Sequence, residues 1–126
     1  MRLREIRDKL DARVIVGEDR LDLDVSTAFG ADLMSDVLAF ARSGCLLITG
    51  LSNPQAVRTA YALDIKAILV CRGKSISDKF IEIARELNIP VLWTRLIMFE
   101  VCGRLYQEGL IGCIRQASEI EDKQIA

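Results

Sequence analysis

Histidine is absent from this 126-residue sequence, and its four cysteines form no Cys-x-x-Cys pair. Without histidine, a mixed cysteine–histidine zinc site is excluded, and a serine or cysteine nucleophile lacks its commonest general base. The cysteines lie in or beside apolar segments, where this residue type packs as a small hydrophobe. We therefore expect no catalytic residue, no metal and no cofactor, and we expect reduced core thiols at Cys45, Cys71, Cys102 and Cys113.

The sequence also lacks an excess of one charge and a long apolar run. Seventeen basic residues face eighteen acidic ones, which gives no electrostatic reason to bind nucleic acid or an anionic membrane. No stretch approaches the roughly 18 apolar residues that span a bilayer, because Arg95 and Glu100 interrupt the best candidate. The charged N-terminal segment has no signal-peptide core. We therefore expect a cytoplasmic protein that binds neither nucleic acid nor membrane.

Helix and strand patterns alternate from residue 31 to residue 110. The helical pattern ADLMSDVLAFARSG (31–44) runs into the apolar strand CLLIT (45–49), and further strands are predicted at 67–70 and 91–93. Continuous apolar strands between helices are typical of parallel sheets that are covered on both faces. The sequence therefore predicts a three-layer α/β fold: a mostly parallel sheet with helices on both faces and a β-α-β-α-β-α core.

The N-terminal region is predicted to add a short helix over residues 2–11 and strands at 13–16 and 25–29. Leu3, Ile6 and Leu10 repeat at helical spacing. We expect both strands to extend one edge of the sheet. Residues 1–112 are assigned to a single domain, and residues 113–126 to a polar C-terminal tail.

Capping residues indicate where three helices begin. Asn53 precedes Pro54, which combines a capping side chain with proline at the first helical position. Ser77 is expected to cap the helix that follows it, and Asp32 or Ser35 the helix over 32–42.

Polar residues follow each of the three buried strands. Ligands of open parallel sheets bind outside the carboxyl ends of the strands, and a helix N-terminus at Pro54 would favour an anion there. The sequence has neither a P-loop nor Gly-x-Gly-x-x-Gly. The same residues could merely cap a helix and finish strands, so both interpretations stay open. The candidate ligand-binding set is Thr49, Gly50, Ser52, Asn53, Arg72, Gly73, Thr94 and Arg95.

The last helix carries a candidate dimer interface at Phe99, Gly103 and Tyr106, where glycine would allow close helix approach. Alternatively, these residues pack within the chain. Cys71 at a strand end is the candidate for thiol redox chemistry. Trp93 is interpreted either as a core aromatic or as a stacking surface for a base.

The order and spacing of several segments resemble the DRTGG domain family over residues 1–112. These segments are ADLMSDVLAFARSGCLLIT (31–49), AVRTAYALDIKAILVCRG (56–73), IPVLWT (89–94) and FEVCGRLYQEGL (99–110). In the place of the family's acidic–basic–Thr-Gly-Gly motif, Asp22 and Ser26 remain, whereas Thr27 and Ala28 replace the two glycines. Family members often have Gln and His where this chain has Leu51 and Asn53.

The resemblance implies a regulatory or assembly role. DRTGG domains occur alone, beside adenine-nucleotide-sensing CBS pairs, and in some phosphotransacetylases and inorganic pyrophosphatases, and the N-terminal domain of HPr kinase/phosphorylase is similar in fold. We therefore expect a non-enzymatic domain that forms a homodimer. The alternatives are a sensor that binds an adenine nucleotide or another small anionic metabolite at the strand ends, and a thiol-based redox protein.

Overall fold

The computed structural model describes residues 1–117 of the chain. One sheet contains six strands, which are β1 Arg13–Val16, β2 Thr27–Gly30, β3 Leu46–Thr49, β4 Ala67–Val70, β5 Val91–Trp93 and β6 Ile111–Gly112. Their order is β1-β5-β4-β3-β2-β6. β1 pairs antiparallel with β5, and the other pairings are parallel. The mostly parallel sheet is therefore confirmed.

Helices cover both faces of this sheet. They are α1 Leu3–Lys9, α2 Met34–Phe40, α3 Pro54–Ala62, α4 Asp78–Glu86 and α5 Met98–Gln107, and a 3-10 turn lies at Glu18–Arg20. The core cluster on one face includes Val37, Val57 and Phe80 of α2, α3 and α4. The opposite cluster includes Ile6 of α1 and Leu105 of α5. The predicted three-layer α/β architecture is confirmed.

The direction of the chain across the sheet explains why α5 lies on the opposite face from α2, α3 and α4. From β2 to β5 the chain moves one strand at a time in one direction, so right-handed crossovers place α2, α3 and α4 together. From β5 it returns across the sheet to β6, and the same rule places α5 on the other side. The carboxyl ends of the parallel strands therefore meet at one edge, with the loops after β3, β4 and β5 side by side.

The prediction that both early strands extend one edge is wrong. β1 lies beside β5 at one end of the sheet, whereas β2 lies beside β3 and is covered on its other side by β6. The second strand begins at Thr27 rather than at Val25. The Val25 N–H donates to the Met1 carbonyl at 2.8 Å instead of to a neighbouring strand, and the Val25 side chain is buried. β6 was not predicted, since two residues are too few to show a period.

Backbone pairing continues just beyond the predicted domain boundary. The Cys113 N–H donates to the Ala28 carbonyl of β2 at 3.0 Å. Most of the predicted polar tail, residues 118–126, lies outside the described residues. Among residues 1–117, no helix has both the length and the apolar character needed to cross a bilayer. The cytoplasmic location stays a prediction.

Candidate functional site

Arg72, in the loop after β4, lies across Gly50, in the loop after β3. Its Nη2 donates to the Gly50 carbonyl at 3.4 Å. A Cβ atom at residue 50 would lie only 2.5 Å from the Arg72 Nε, so glycine makes room for the guanidinium. The Arg72 backbone has a φ of 69°, and its N–H donates to the Leu96 carbonyl at 2.8 Å. The three strand-end loops are therefore joined through Arg72.

Asp32 completes this arrangement, although the sequence predicted a different role for it. Its Oδ1 accepts the Gly50 N–H at 2.7 Å and the Thr49 hydroxyl at 3.5 Å, and its Oδ2 lies 3.8 Å from Arg72 Nη2. The prediction that Asp32 or Ser35 caps α2 is wrong, because Leu33 is the N-cap residue and makes no side-chain cap. A carboxylate thus already meets the N–H and the guanidinium that an anionic ligand would use.

Two predicted ligand hydroxyls already have hydrogen-bond partners within the chain. The Thr49 Oγ1 accepts the Leu51 N–H at 3.1 Å. The Thr94 Oγ1 donates to the Leu10 carbonyl at 2.9 Å and accepts the Leu96 N–H at 3.2 Å. Both threonines are buried. Their hydroxyls therefore stabilise the turns that follow β3 and β5.

The remaining candidate ligand-binding residues lie in two separate places. Asn53 caps α3 by accepting the Ala56 N–H at 3.1 Å, as predicted, and half-buried Ser52 precedes it. Gly73 and Arg95 lie beside Trp93. A Cβ on Gly73 would be 3.4 Å from the Arg95 Cγ, and the Arg95 Cζ is 5.7 Å from the Trp93 ring centroid. The structure thus brings Gly50 and Arg72 together, and Gly73 and Arg95 together.

Cys71 and Cys45 offer no activated thiol. Desolvation by burial raises the pKa of Cys71, and the nearby Asp32 carboxylate raises it further. Burial and the neighbouring Cys113 raise the pKa of Cys45 to about 12. Nucleophilic and redox cysteines need a lowered pKa, so neither Cys71 nor Cys45 is suited to a thiol-based role. Among residues 1–117, no group of three or more His, Cys, Asp or Glu side chains could hold a metal ion.

The candidate dimer residues of α5 lie at the surface. Phe99 is 84% exposed and Tyr106 is 65% exposed. A Cβ on Gly103 would meet nothing within 4 Å. The opposite side of α5 buries Val101 and Leu105 in the core. The α5 face formed by Phe99, Gly103 and Tyr106 is therefore unpartnered within the described part of the chain.

The remnant of the glycine motif has a structural role here. Arg4 of α1 donates two hydrogen bonds to the Asp22 Oδ1, at 2.7 and 3.0 Å, and this bonding holds the pKa of Asp22 below its usual value. Thr27 and Ala28 lie in β2, where Ala28 pairs with Leu46 on one side and Gly112 on the other. The segment therefore anchors α1 and supplies a sheet strand.

A solved structure supports the fold. The chain resembles the CBS and DRTGG domains of the regulatory region of Clostridium perfringens pyrophosphatase, a structure determined with the activator diadenosine tetraphosphate. The TM-score is 0.71 and the sequence identity 20%, over 95% of this chain and 52% of that one. This chain thus spans about half the length of that relative. No curated protein matches the sequence.

The model of one protein family matches most of the chain. The model of the DRTGG domain matches residues 5–107, which include every helix and strand except β6 and the first two residues of α1. The chain therefore belongs to the DRTGG domain family.

Proposed function

We propose that this DRTGG domain is a non-enzymatic regulatory and assembly domain that acts as a homodimer through the α5 face. The observation that carries the proposal is the exposure of Phe99 and Tyr106 on α5, whose opposite side is buried in the core. Large exposed aromatic side chains that share one face are typical of interaction surfaces. The pyrophosphatase relative, whose DRTGG domain belongs to a regulatory region, supports the regulatory role.

The arrangement of the α5 face suits a second copy of the same chain. Phe99 lies four residues before Gly103 and Tyr106 three residues after it, so at about 3.6 residues per turn they share one side of the helix. An antiparallel second copy, related by a twofold axis near Gly103, would bring each Phe99 against Tyr106 of the partner subunit. The glycine would let the two helix backbones approach closely. Such an interface is self-complementary, as twofold symmetry requires.

Sedimentation over micromolar to millimolar concentrations tests the dimer. We expect the wild-type chain to sediment as a dimer, and Phe99→Ser and Tyr106→Ser to shift it to monomer. Tyr61→Ser is the matched control, because Tyr61 is also exposed, at 59%, but lies on α3. A wild-type chain that stays monomeric up to millimolar concentration would contradict the proposal, and so would equal effects of all three substitutions.

A second candidate function is ligand sensing at the strand ends, favoured by the nucleotide complex of the pyrophosphatase relative. In this chain Arg72 is paired with Asp32, so an anionic ligand has to displace a carboxylate. A thermal-shift screen with adenine nucleotides and phosphometabolites tests it. A ligand at 100 times its dissociation constant should add about 2.7 kcal/mol of stability.

Two substitutions should act in opposite directions if the strand-end site binds ligand. Asp32→Asn frees Arg72 and keeps an acceptor for the Gly50 N–H, so the thermal shift should increase. Arg72→Gln should abolish the shift, whereas Arg58→Gln on the outer side of α3 should leave it unchanged. A shift that is insensitive to both Asp32→Asn and Arg72→Gln would exclude this site.

A further inference from the structure

A separate cavity of about 450 Å³ lies where β5 ends and β1 begins. Its walls come from the connection between α1 and β1, from the chain after β5, and from Arg104 of α5. Its volume lies within the range of small-molecule sites, about 300–1,000 Å³. The sequence indicated only Thr94 and Arg95 of its lining, because the cavity joins residues that are some 80 positions apart.

Three arginines line the cavity, although the chain as a whole has a net charge of −1. They are Arg13, Arg95 and Arg104. Arg104 pairs with Glu100 at 3.6 Å, and Asp11 supplies a carboxylate to the lining. For Arg13 and Arg95, the described residues provide no carboxylate within 4.0 Å. Two of the three lining arginines thus form no ion pair within residues 1–117.

Trp93 forms a cation–π contact with each of these two guanidiniums. The Arg13 Cζ lies 5.3 Å and the Arg95 Cζ 5.7 Å from the ring centroid, which is within cation–π distance. Arg13 is directly opposite Trp93 in the antiparallel pairing of β1 with β5. The indole Nε1 donates to the Lys74 carbonyl at 2.7 Å, and this bond fixes the ring. The ring therefore orients the two arginines, while their guanidinium N–H groups have no hydrogen-bond acceptor among residues 1–117.

We propose that this cavity binds a polyphosphate chain of two or more linked phosphoryl groups through Arg13 and Arg95. Guanidinium groups offer paired N–H donors that match phosphate oxygens, and an oriented pair loses less side-chain freedom on binding. Arg104 adds a third cation when the phosphate competes with Glu100 for it. The site is distinct from the Arg72–Asp32 pair, where a carboxylate of the chain already occupies the guanidinium.

The fluorescence of Trp93, the single tryptophan of the chain, tests the proposal directly. We expect a saturable, salt-sensitive change on titration with pyrophosphate or tripolyphosphate, and none with adenosine. ATP is included to distinguish a nucleoside polyphosphate from an inorganic one. Tighter binding of ATP than of tripolyphosphate would identify the nucleoside as part of the ligand, and equal binding would identify the phosphate chain alone.

Substitutions locate the binding, and calorimetry measures it independently of the indole. Arg13→Gln and Arg95→Gln should each weaken pyrophosphate binding by about tenfold or more, since each removes charge-assisted hydrogen bonds. Glu100→Gln should strengthen it by releasing Arg104. Arg85→Gln, an exposed arginine on α4, is the matched control and should have no effect. Circular dichroism checks that each variant is folded, and because Arg95 lies in a loop its variant preserves both strands.

Three results would contradict the proposal that this cavity binds a polyphosphate chain. The first is no binding of pyrophosphate, tripolyphosphate or ATP to the wild-type chain. The second is equal weakening by Arg85→Gln and Arg95→Gln, which would show a non-specific charge effect. The third is loss of binding in Arg72→Gln with retention in Arg13→Gln and Arg95→Gln, which would move the ligand to the Arg72–Asp32 pair. None of these results bears on the homodimer, which sedimentation tests separately.

Discussion

Asp32 and Arg72 form an ion pair whose carboxylate also accepts the Gly50 N–H at 2.7 Å. Arg72 is 40% exposed and Asp32 45% exposed, so the pair contributes only about 0–1 kcal/mol to stability. Its importance is chemical, because it neutralises the guanidinium at the strand ends. Arg13 and Arg95 differ in that the described residues offer them an aromatic ring rather than a carboxylate. An anion at Arg72 therefore competes with a carboxylate, whereas Arg13 and Arg95 have no carboxylate within 4.0 Å among residues 1–117.

Cys45 should make stability fall at high pH. In the unfolded chain its thiol ionises near the ordinary pKa of 9.0, whereas burial and the neighbouring Cys113 raise the pKa in the folded chain to about 12. Between these values the folded chain keeps a proton that the unfolded chain has lost. The free energy of unfolding should therefore decrease as pH rises from about 9 to 12, by up to about 1.4 kcal/mol per pH unit.

Urea denaturation at increasing pH measures this effect. Cys45→Ala removes the titrating group, so its stability should fall less steeply than that of the wild-type chain over the same range. Comparing slopes rather than absolute stabilities cancels the packing change caused by the substitution. Equal slopes for the two proteins would show that Cys45 does not stay protonated in the folded state.

β3 and β4 show which secondary structure the sequence could predict. Every residue of both strands is buried, and their continuous apolar runs indicated a sheet covered on both faces. Alternate residues then point to opposite cores: Leu47 belongs to one cluster, and Leu46 and Ile48 to the other. The order of the strands could not be predicted in the same way, because pairing depends on distant partners. Arg13 meets Trp93 only through the antiparallel register of β1 with β5.

At the N-termini of the helices, too, local contacts could be predicted from the sequence and distant ones could not. Asn53 and Ser77 bond the N–H groups of their own first turns, at 3.1 and 3.2 Å, and local sequence was enough to predict this. Asp32 turns instead to a loop 18 residues later in the chain, a partner that local sequence does not show. Of the candidate site, Gly50 and Arg72 were predicted and do meet, but the carboxylate that joins them was not.

The α3 cap gives a test of whether Asn53 is structural. Asn53→Ala should lower the free energy of unfolding by about 1 kcal/mol, because the Ala56 N–H loses its acceptor, and Asn53→Asp should retain most of the stability. Ser77→Ala, which removes the equivalent bond to the Phe80 N–H of α4, is the matched control and should cost a similar amount. Chemical denaturation measures all three. No loss of stability in Asn53→Ala would leave ligand binding as the remaining role predicted for Asn53.

The two core clusters of the molecule share a single sheet. α2, α3 and α4 cover one face and α1 and α5 the other, but the same strands supply side chains to both. β4 illustrates this, since Ile68 and Val70 belong to one cluster and Leu69 to the other. Neither face can therefore lose its packing without exposing strands that the other face needs. The described part of the chain is expected to unfold as one cooperative unit.

Matched truncations on the two faces test this cooperativity. Phe80→Ala of α4 and Leu105→Ala of α5 both remove buried side chains, and should cost about 3–5 and 2–5 kcal/mol respectively. Each should move a single transition to lower urea concentration with little change in its slope. Trp93 fluorescence reports on the edge near β1, and far-ultraviolet circular dichroism reports on all helices, so the two signals should coincide in every variant. If Leu105→Ala produced an early loss of helix while the Trp93 signal stayed native, the α1–α5 layer would be a separate unit, because only that layer would have lost its support.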